Sequence, residues 1–165
     1  MIEGLLALVV AAGPAAPTEV RAELKPFQFL VGSCWTGTFP DGKATDTHCF
    51  EPVYGGQFIR DTHVVKGPKP YEGESIHAWD AQKKKLVYVY WANSGSISFG
   101  TSEPQASGEI VFPQADVASS AGTVAIKSTW TPRGPDSYEV WASHLKDGEW
   151  KETWRMVMKR DVKGK

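Results

Sequence analysis

Cysteine is scarce in this 165-residue sequence: Cys34 and Cys49 are the only two. That excludes a small scaffold stapled by many disulfides and any cysteine-rich metal knot. Long apolar runs are missing as well. The longest, residues 5–12 (LLALVVAA), falls well short of the about 20 residues a membrane-spanning helix needs, so no stable membrane insertion is expected. Neither sign of charge is in excess, with 18 Lys+Arg against 19 Asp+Glu and a net charge of −1. A nucleic-acid partner is not expected, because the basic patch that dominates such affinity is absent. The sequence contains no Gly-x-Ser-x-Gly elbow, His-Glu-x-x-His helix, phosphate loop or dinucleotide fingerprint, which points to a non-enzymatic protein. From Gly32 onward no helical period is visible, which argues against a bundle or an α/β fold.

Aromatics and turn formers are abundant. Seven Trp, five Tyr and seven Phe stand among 16 Gly and 11 Pro. Apolar residues alternate in short runs over 32–39, 44–54, 57–66, 72–80, 85–93, 96–103, 108–113, 122–131, 137–145 and 149–160. Between them lie the turn sequences PDG, GG, GPKP, RGPD and KDG. The pattern predicts an all-β protein, a single up-and-down antiparallel β-barrel of about ten strands, whose closure removes exposed edges. The segment LKPFQFLVG, just before the first strand, reads as a short helical turn plugging one barrel end.

Residues 1–15 read as a secretory leader, with Gly13 and Ala15 at the −3 and −1 positions of a cleavage site. Glu3 departs from that pattern, since a Lys or Arg is usual there. The other reading is an N-terminal helix. Export places the protein in the periplasm or outside the cell. Residues 16–26 then form a linker, 27–161 the barrel and 162–165 a tail.

Hairpin register follows from turn length. A two-residue turn at Asp41 and Gly42 gives paired positions a constant sum of 83, which sets Cys34 opposite Cys49 and Trp35 opposite His48. A three-residue turn with Gly42 in a bulge shifts the sum to 82 and sends the cysteines to opposite faces. A Cys34–Cys49 disulfide is expected from the first register and export, and two free thiols from the second. A turn at Gly55 and Gly56 gives a sum of 111, so His48 meets His63 and Glu51 meets Arg60. The resulting Trp35–His48–His63 row shares its face with Asp46 and Asp61. Such a row suits a metal or haem ligand, a polar ligand contact inside the barrel, or an ordinary cross-strand pair.

The opening LVGSCWTG, Gly32-x-x-Trp35-x-Gly37, resembles the Gly-x-Trp start of the calycins, among them lipocalins and fatty-acid-binding proteins, with one extra residue before the Trp. The segments FEPVYGGQFIRD, YEGESIHAWDAQKKKLVYVYWANSG and YEVWASHLKDGEWKETWRMVMKR are similar to a bacterial calycin-like family of uncharacterised function. The resemblance covers roughly residues 27–160. It implies a barrel with a central cavity for a small ligand, and a C-terminal Arg, Arg155 or Arg160, packed on Trp35.

Expected ligand contacts are Trp35, Arg60, His63, Glu74, Tyr88, Tyr90 and Trp154. The inward face stays open for strands 57–66, 85–93 and 149–160. In the last strand, Trp150, Trp154, Met156 and Met158 share a face, which conflicts with an inward Arg155 unless a bulge lies near Trp154. The leading function is an exported barrel that binds a small, partly polar or amphipathic molecule without cofactor or metal. One alternative is a haem-binding barrel resembling the nitrobindins, with His63, His48 or His144 as axial ligand. Another is an enzyme using Glu74, Asp61 and His63 as acid and base. A homodimer through exposed Trp and Tyr of the outer face is a further expectation.

Overall fold

The computed structural model describes residues 19–161. The expected leader and tail lie outside the described residues.

Ten strands form one closed antiparallel barrel. They are β1 (Ser33–Thr38), β2 (Thr45–Val53), β3 (Phe58–Lys66), β4 (Tyr71–Asp80), β5 (Lys85–Ala92), β6 (Ile97–Pro104), β7 (Ile110–Ser119), β8 (Gly122–Pro132), β9 (Ser137–Lys146) and β10 (Glu149–Arg160). Each strand pairs with its neighbours in sequence, and β10 returns to β1 through Trp35 opposite Arg160 and Thr36 opposite Lys159. Short connections make this order the natural one for alternating strands.

The first hairpin holds the register with a sum of 83, so Cys34 faces Cys49. Its loop is longer than expected: Phe39 N–H donates to Ala44 O (3.0 Å), leaving residues 40–43 as a four-residue connection. Lengthening a loop by one residue on each side leaves the pairing sum unchanged. Cys34 and Cys49 are joined by a disulfide, their Cα atoms 4.0 Å apart. The same holds for the second hairpin, where residues 54–57 connect strands paired at a sum of 111.

One strand departs from the expected pattern, and another carries the bulge expected near Trp154. β7 continues six residues beyond Pro113, because a register shift between Phe112 and Ala115 accommodates the proline. Proline has no N–H to give a ladder, and a bulge is where a sheet tolerates it. β10 carries a shift between Glu152 and Trp154. Residues before it, Trp150 and Glu152, pair on the outside. Beyond it, Trp154, Met156, Met158 and Arg160 turn inward.

One barrel end is sealed from within. A 3-10 helix at Ala22–Phe27 lays Leu24 and Phe27 into the lumen, both fully buried, with Leu30 beside them. Burying each such side chain contributes about 1.5–3 kcal/mol. Val20 and Leu24, in the segment read as a linker, belong to this core. Arg160 closes the same end, its guanidinium carbon 4.2 Å from the Trp35 ring centroid. It donates to Phe29 O (3.1 Å), Pro135 O (2.9 Å), Asp136 Oδ1 (3.1 Å) and Ser33 Oγ. Arg155 is instead outside, bound to Glu139 and Glu152.

Candidate functional site

Above the plug, Phe50, Phe112, His77 and Trp130 form an aromatic floor across the lumen, with Trp130 4.6–5.9 Å from the other three ring centroids. His77 is buried there among Phe27, Tyr88, Phe112 and Trp130, and neither of its ring nitrogens has a hydrogen-bond partner. Burial lowers its pKa to about 3, so it is a neutral part of the floor.

On this floor stands a polar cluster. Alternation along β2 and β3 turns Asp46, His48, Phe50, Ile59, Asp61, His63 and Val65 inward. The His48 ring stacks over Phe50 at 6.0 Å. Its Nδ1 lies 2.9 Å from Asp61 Oδ2, and its Nε2 lies 3.3 Å from Asp46 Oδ2. Burial alone would lower the His48 pKa, but the charge of Asp61 and the hydrogen bonds to both carboxylates outweigh it and raise the value to about 10. His48 is therefore an imidazolium shared by two buried carboxylates.

His63 sits across the ladder, its ring 4.5 Å from that of His48. Burial, reinforced by the His48 charge, lowers its pKa to about 4. His63 Nε2 lies 3.7 Å from Asp46 Oδ1, and both atoms are buried without a hydrogen-bond partner. Two carboxylates against one imidazolium leave the cluster with a net negative charge. Asp46, His48 and His63 each place one potential metal-ligating atom within 4.8 Å of the others.

Tyrosines of β4 and β5 wall the cluster. Tyr71 lies 5.0 Å from His63 and Tyr90 6.0 Å, measured between ring centroids. Both phenols are held above their ordinary pKa by burial first, with Asp46 adding to it, and Tyr90 reaches about 12. The wall is thin where glycine faces inward. A Cβ on Gly73 would stand 2.8 Å from the Tyr90 ring, and one on Gly100 2.6 Å from Tyr88. Absent side chains at those two positions let the tyrosines lie flat against the sheet. Unlike the floor, Tyr71, Tyr88, Tyr90, His48 and His63 keep partial solvent exposure while facing inward. This half of the lumen therefore admits water.

The expected contacts divide by face. His63, Tyr88 and Tyr90 line the lumen. Trp154 faces inward beside Phe39, 5.7 Å away, nearer the unplugged end. Trp35 also points inward, but it is fully buried beneath Arg160 and gives its Nε1–H to Leu30 O (3.1 Å), so it belongs to the seal. Arg60 stands on the outer face in an ion pair with Glu51. Glu74, between inward Gly73 and Ser75 and opposite half-exposed Trp91, is outside too. A ligand held in the lumen would meet neither. The acid–base set of Glu74, Asp61 and His63 is accordingly not assembled, since the wall separates Glu74 from the other two.

Among the axial-ligand candidates, His48 has both ring nitrogens engaged by carboxylates. His144 sits near the β10 bulge, its Nδ1 2.8 Å from Thr153 Oγ1. His63 has an inward ring whose Nε2 is buried and unpartnered. Tyr71 joins the cluster without having been an expected contact. Its signal was the β3–β4 pairing, which sets it opposite inward Val65. On the outer face, Trp91, Ile97 and Phe99 are exposed on adjacent strands. Compared with known proteins, the chain matches no family model and no curated protein.

Proposed function

We propose that this protein is an exported, calycin-like barrel that holds a small, partly polar molecule in the half of its lumen away from the helical plug. One observation carries the reading: Asp46 Oδ1 and His63 Nε2 are buried, face each other and lack hydrogen-bond partners. Buried polar atoms are nearly always paired, and an orphaned pair beside the partly exposed side of the lumen fits a site completed by a ligand. The polar end of the ligand meets this cluster, and its body lies against Tyr88, Tyr90 and Trp154. The Cys34–Cys49 disulfide is compatible with export, because such bonds persist in oxidising compartments. The closed ten-strand antiparallel barrel is consistent with a calycin-like fold.

Native mass spectrometry of the disulfide-bonded protein purified from its host tests the proposal. A bound small molecule, released on denaturation, is expected. An empty barrel, with no thermal shift across lipid and metabolite panels, contradicts it. For the haem alternative, His63 is the ligand candidate within the cluster. A Soret band on haem titration that disappears in His63→Ala would favour it, and no band would end it.

A further inference from the structure

We infer that Asp46, His48 and His63 form a binding site for a divalent transition cation of the zinc type, open on one side to the lumen. The inference rests on the lumen being a ligand site, and it names the group that anchors the ligand. Three features point to it. First, the donor set of two imidazoles and a carboxylate is one that Zn²⁺ accepts, commonly with a fourth position left to water or a ligand. Second, the donors are gathered. One ligand atom each of Asp46, His48 and His63 lies within 4.8 Å of the others, against about 3.3 Å between the ligands of a tetrahedral ion, so a small inward turn of the side chains completes the site. Third, Asp61 accepts from His48 Nδ1 at 2.9 Å. That is the outer-shell contact that fixes a ligating imidazole with Nε2 aimed at the metal.

The two unpartnered atoms are the independent sign of a missing occupant. Asp46 Oδ1 and His63 Nε2 have no hydrogen bond, and Asp46 is 2% exposed. A cation between them would satisfy both lone pairs at once. The net negative charge of the cluster favours the same occupant. Binding exchanges one ion for another: the proton between His48 Nε2 and Asp46 leaves as the metal takes the nitrogen lone pair. Tyr71 and Tyr90 border the open side, where a small molecule with a lone-pair donor would complete the coordination.

Cobalt titration of the chelator-stripped, disulfide-intact protein tests the site. One Co²⁺ per chain is expected, with the visible absorption of a four-coordinate N/O site, and Zn²⁺ should displace it. Asp46→Asn and His63→Gln should each weaken binding at least about tenfold and Asp61→Asn by about tenfold, while His144→Ala leaves it unchanged. Near-ultraviolet circular dichroism shows that His63→Gln keeps the fold. No Co²⁺ uptake by the native protein, or uptake undiminished in folded His63→Gln, overturns the site. The two readings separate cleanly. Organic ligand bound in the presence of chelator, without Co²⁺ uptake, removes the cation site alone. Co²⁺ uptake with no organic ligand found supports the cation site and removes the organic cargo.

Discussion

His48 and His63 face each other across β2 and β3 with ring centroids 4.5 Å apart, yet one is an imidazolium and the other neutral. The difference lies in their partners. His48 Nδ1 and Nε2 reach Asp61 and Asp46 at 2.9 and 3.3 Å, while His63 reaches only Asp46, at 3.7 Å. The first imidazole is charged between two carboxylates and offsets one of their two charges, while burial and that charge together hold the second uncharged.

The two histidines should therefore respond unequally to removal. Truncating His48 leaves two buried carboxylates without their counter-charge, and His48→Ala should cost about 3–5 kcal/mol. His63→Ala removes packing against Tyr71 and Tyr90 and should cost about 1–2 kcal/mol. Urea unfolding at neutral pH on chelator-treated protein measures both. Equal losses would contradict the assignment of charge to His48.

Arg160 and Arg155 form a second contrast. Arg160 combines stacking on Trp35 with hydrogen bonds at the plugged end, so Arg160→Ala should cost about 2–3 kcal/mol. Arg155 is half exposed among Glu139 and Glu152, and Arg155→Ala should change stability by about 0.5 kcal/mol or less. Denaturant midpoints decide the pair, and a reversed order would show that the barrel is closed otherwise.

The disulfide spans a sequence separation of 15. A crosslink closing a loop of that length removes chain entropy worth about 3 kcal/mol from the unfolded state. The Cys34→Ser, Cys49→Ser double variant should lose about that much in urea unfolding while keeping the native circular dichroism. An unchanged midpoint would mean that the bond constrains nothing in the unfolded chain.

His77 supplies a pH dependence. Its pKa falls from 6.5 in the unfolded chain to about 3 in the barrel, because burial disfavours the charged ring. Above pH 6.5 neither state binds the proton. Below it the unfolded chain does and the folded one does not, so stability declines by up to about 1.4 kcal/mol per pH unit. The decline stops near pH 3, where the folded ring also titrates. His77→Phe, which keeps a ring among Phe27, Phe112 and Trp130, should flatten the stability profile between pH 6.5 and 4 relative to the native protein. Parallel profiles would contradict a neutral His77.

The hairpin arithmetic was readable because pairing sums do not change when a loop grows symmetrically. Cys34–Cys49 and His48–His63 were thus placed correctly even though both loops hold four residues rather than two. Faces were harder. β5 is aromatic or apolar on both sides, and only the closed barrel shows Leu86, Tyr88 and Tyr90 inside. In β10 the bulge reverses the period between Glu152 and Trp154, and no Gly or Pro marks it. Trp150 therefore left the inner face, and Arg160 rather than Arg155 met Trp35. Arg60 and Glu74 looked suitable as charges near a pocket, but alternation with Asp61 and Ser75 puts them outside. The row of His48 and His63 with Asp46 and Asp61 was legible from register. Its sharing of one buried charge cluster was not, because that depends on depth within the lumen.

In the proposed function, ligand occupies the lumen beside Asp46 and His63. The most direct measurement is a two-dimensional nuclear magnetic resonance titration of the isotope-labelled protein with its copurified small molecule, or with the best hit of the metabolite panel. Shifts should concentrate on His48, His63, Tyr71, Tyr88, Tyr90 and the Trp154 indole, leaving Arg60, Glu74 and Trp91 unmoved. Shifts centred on the outer residues, with the lumen signals unchanged, would put the ligand outside the barrel and remove the lumen site.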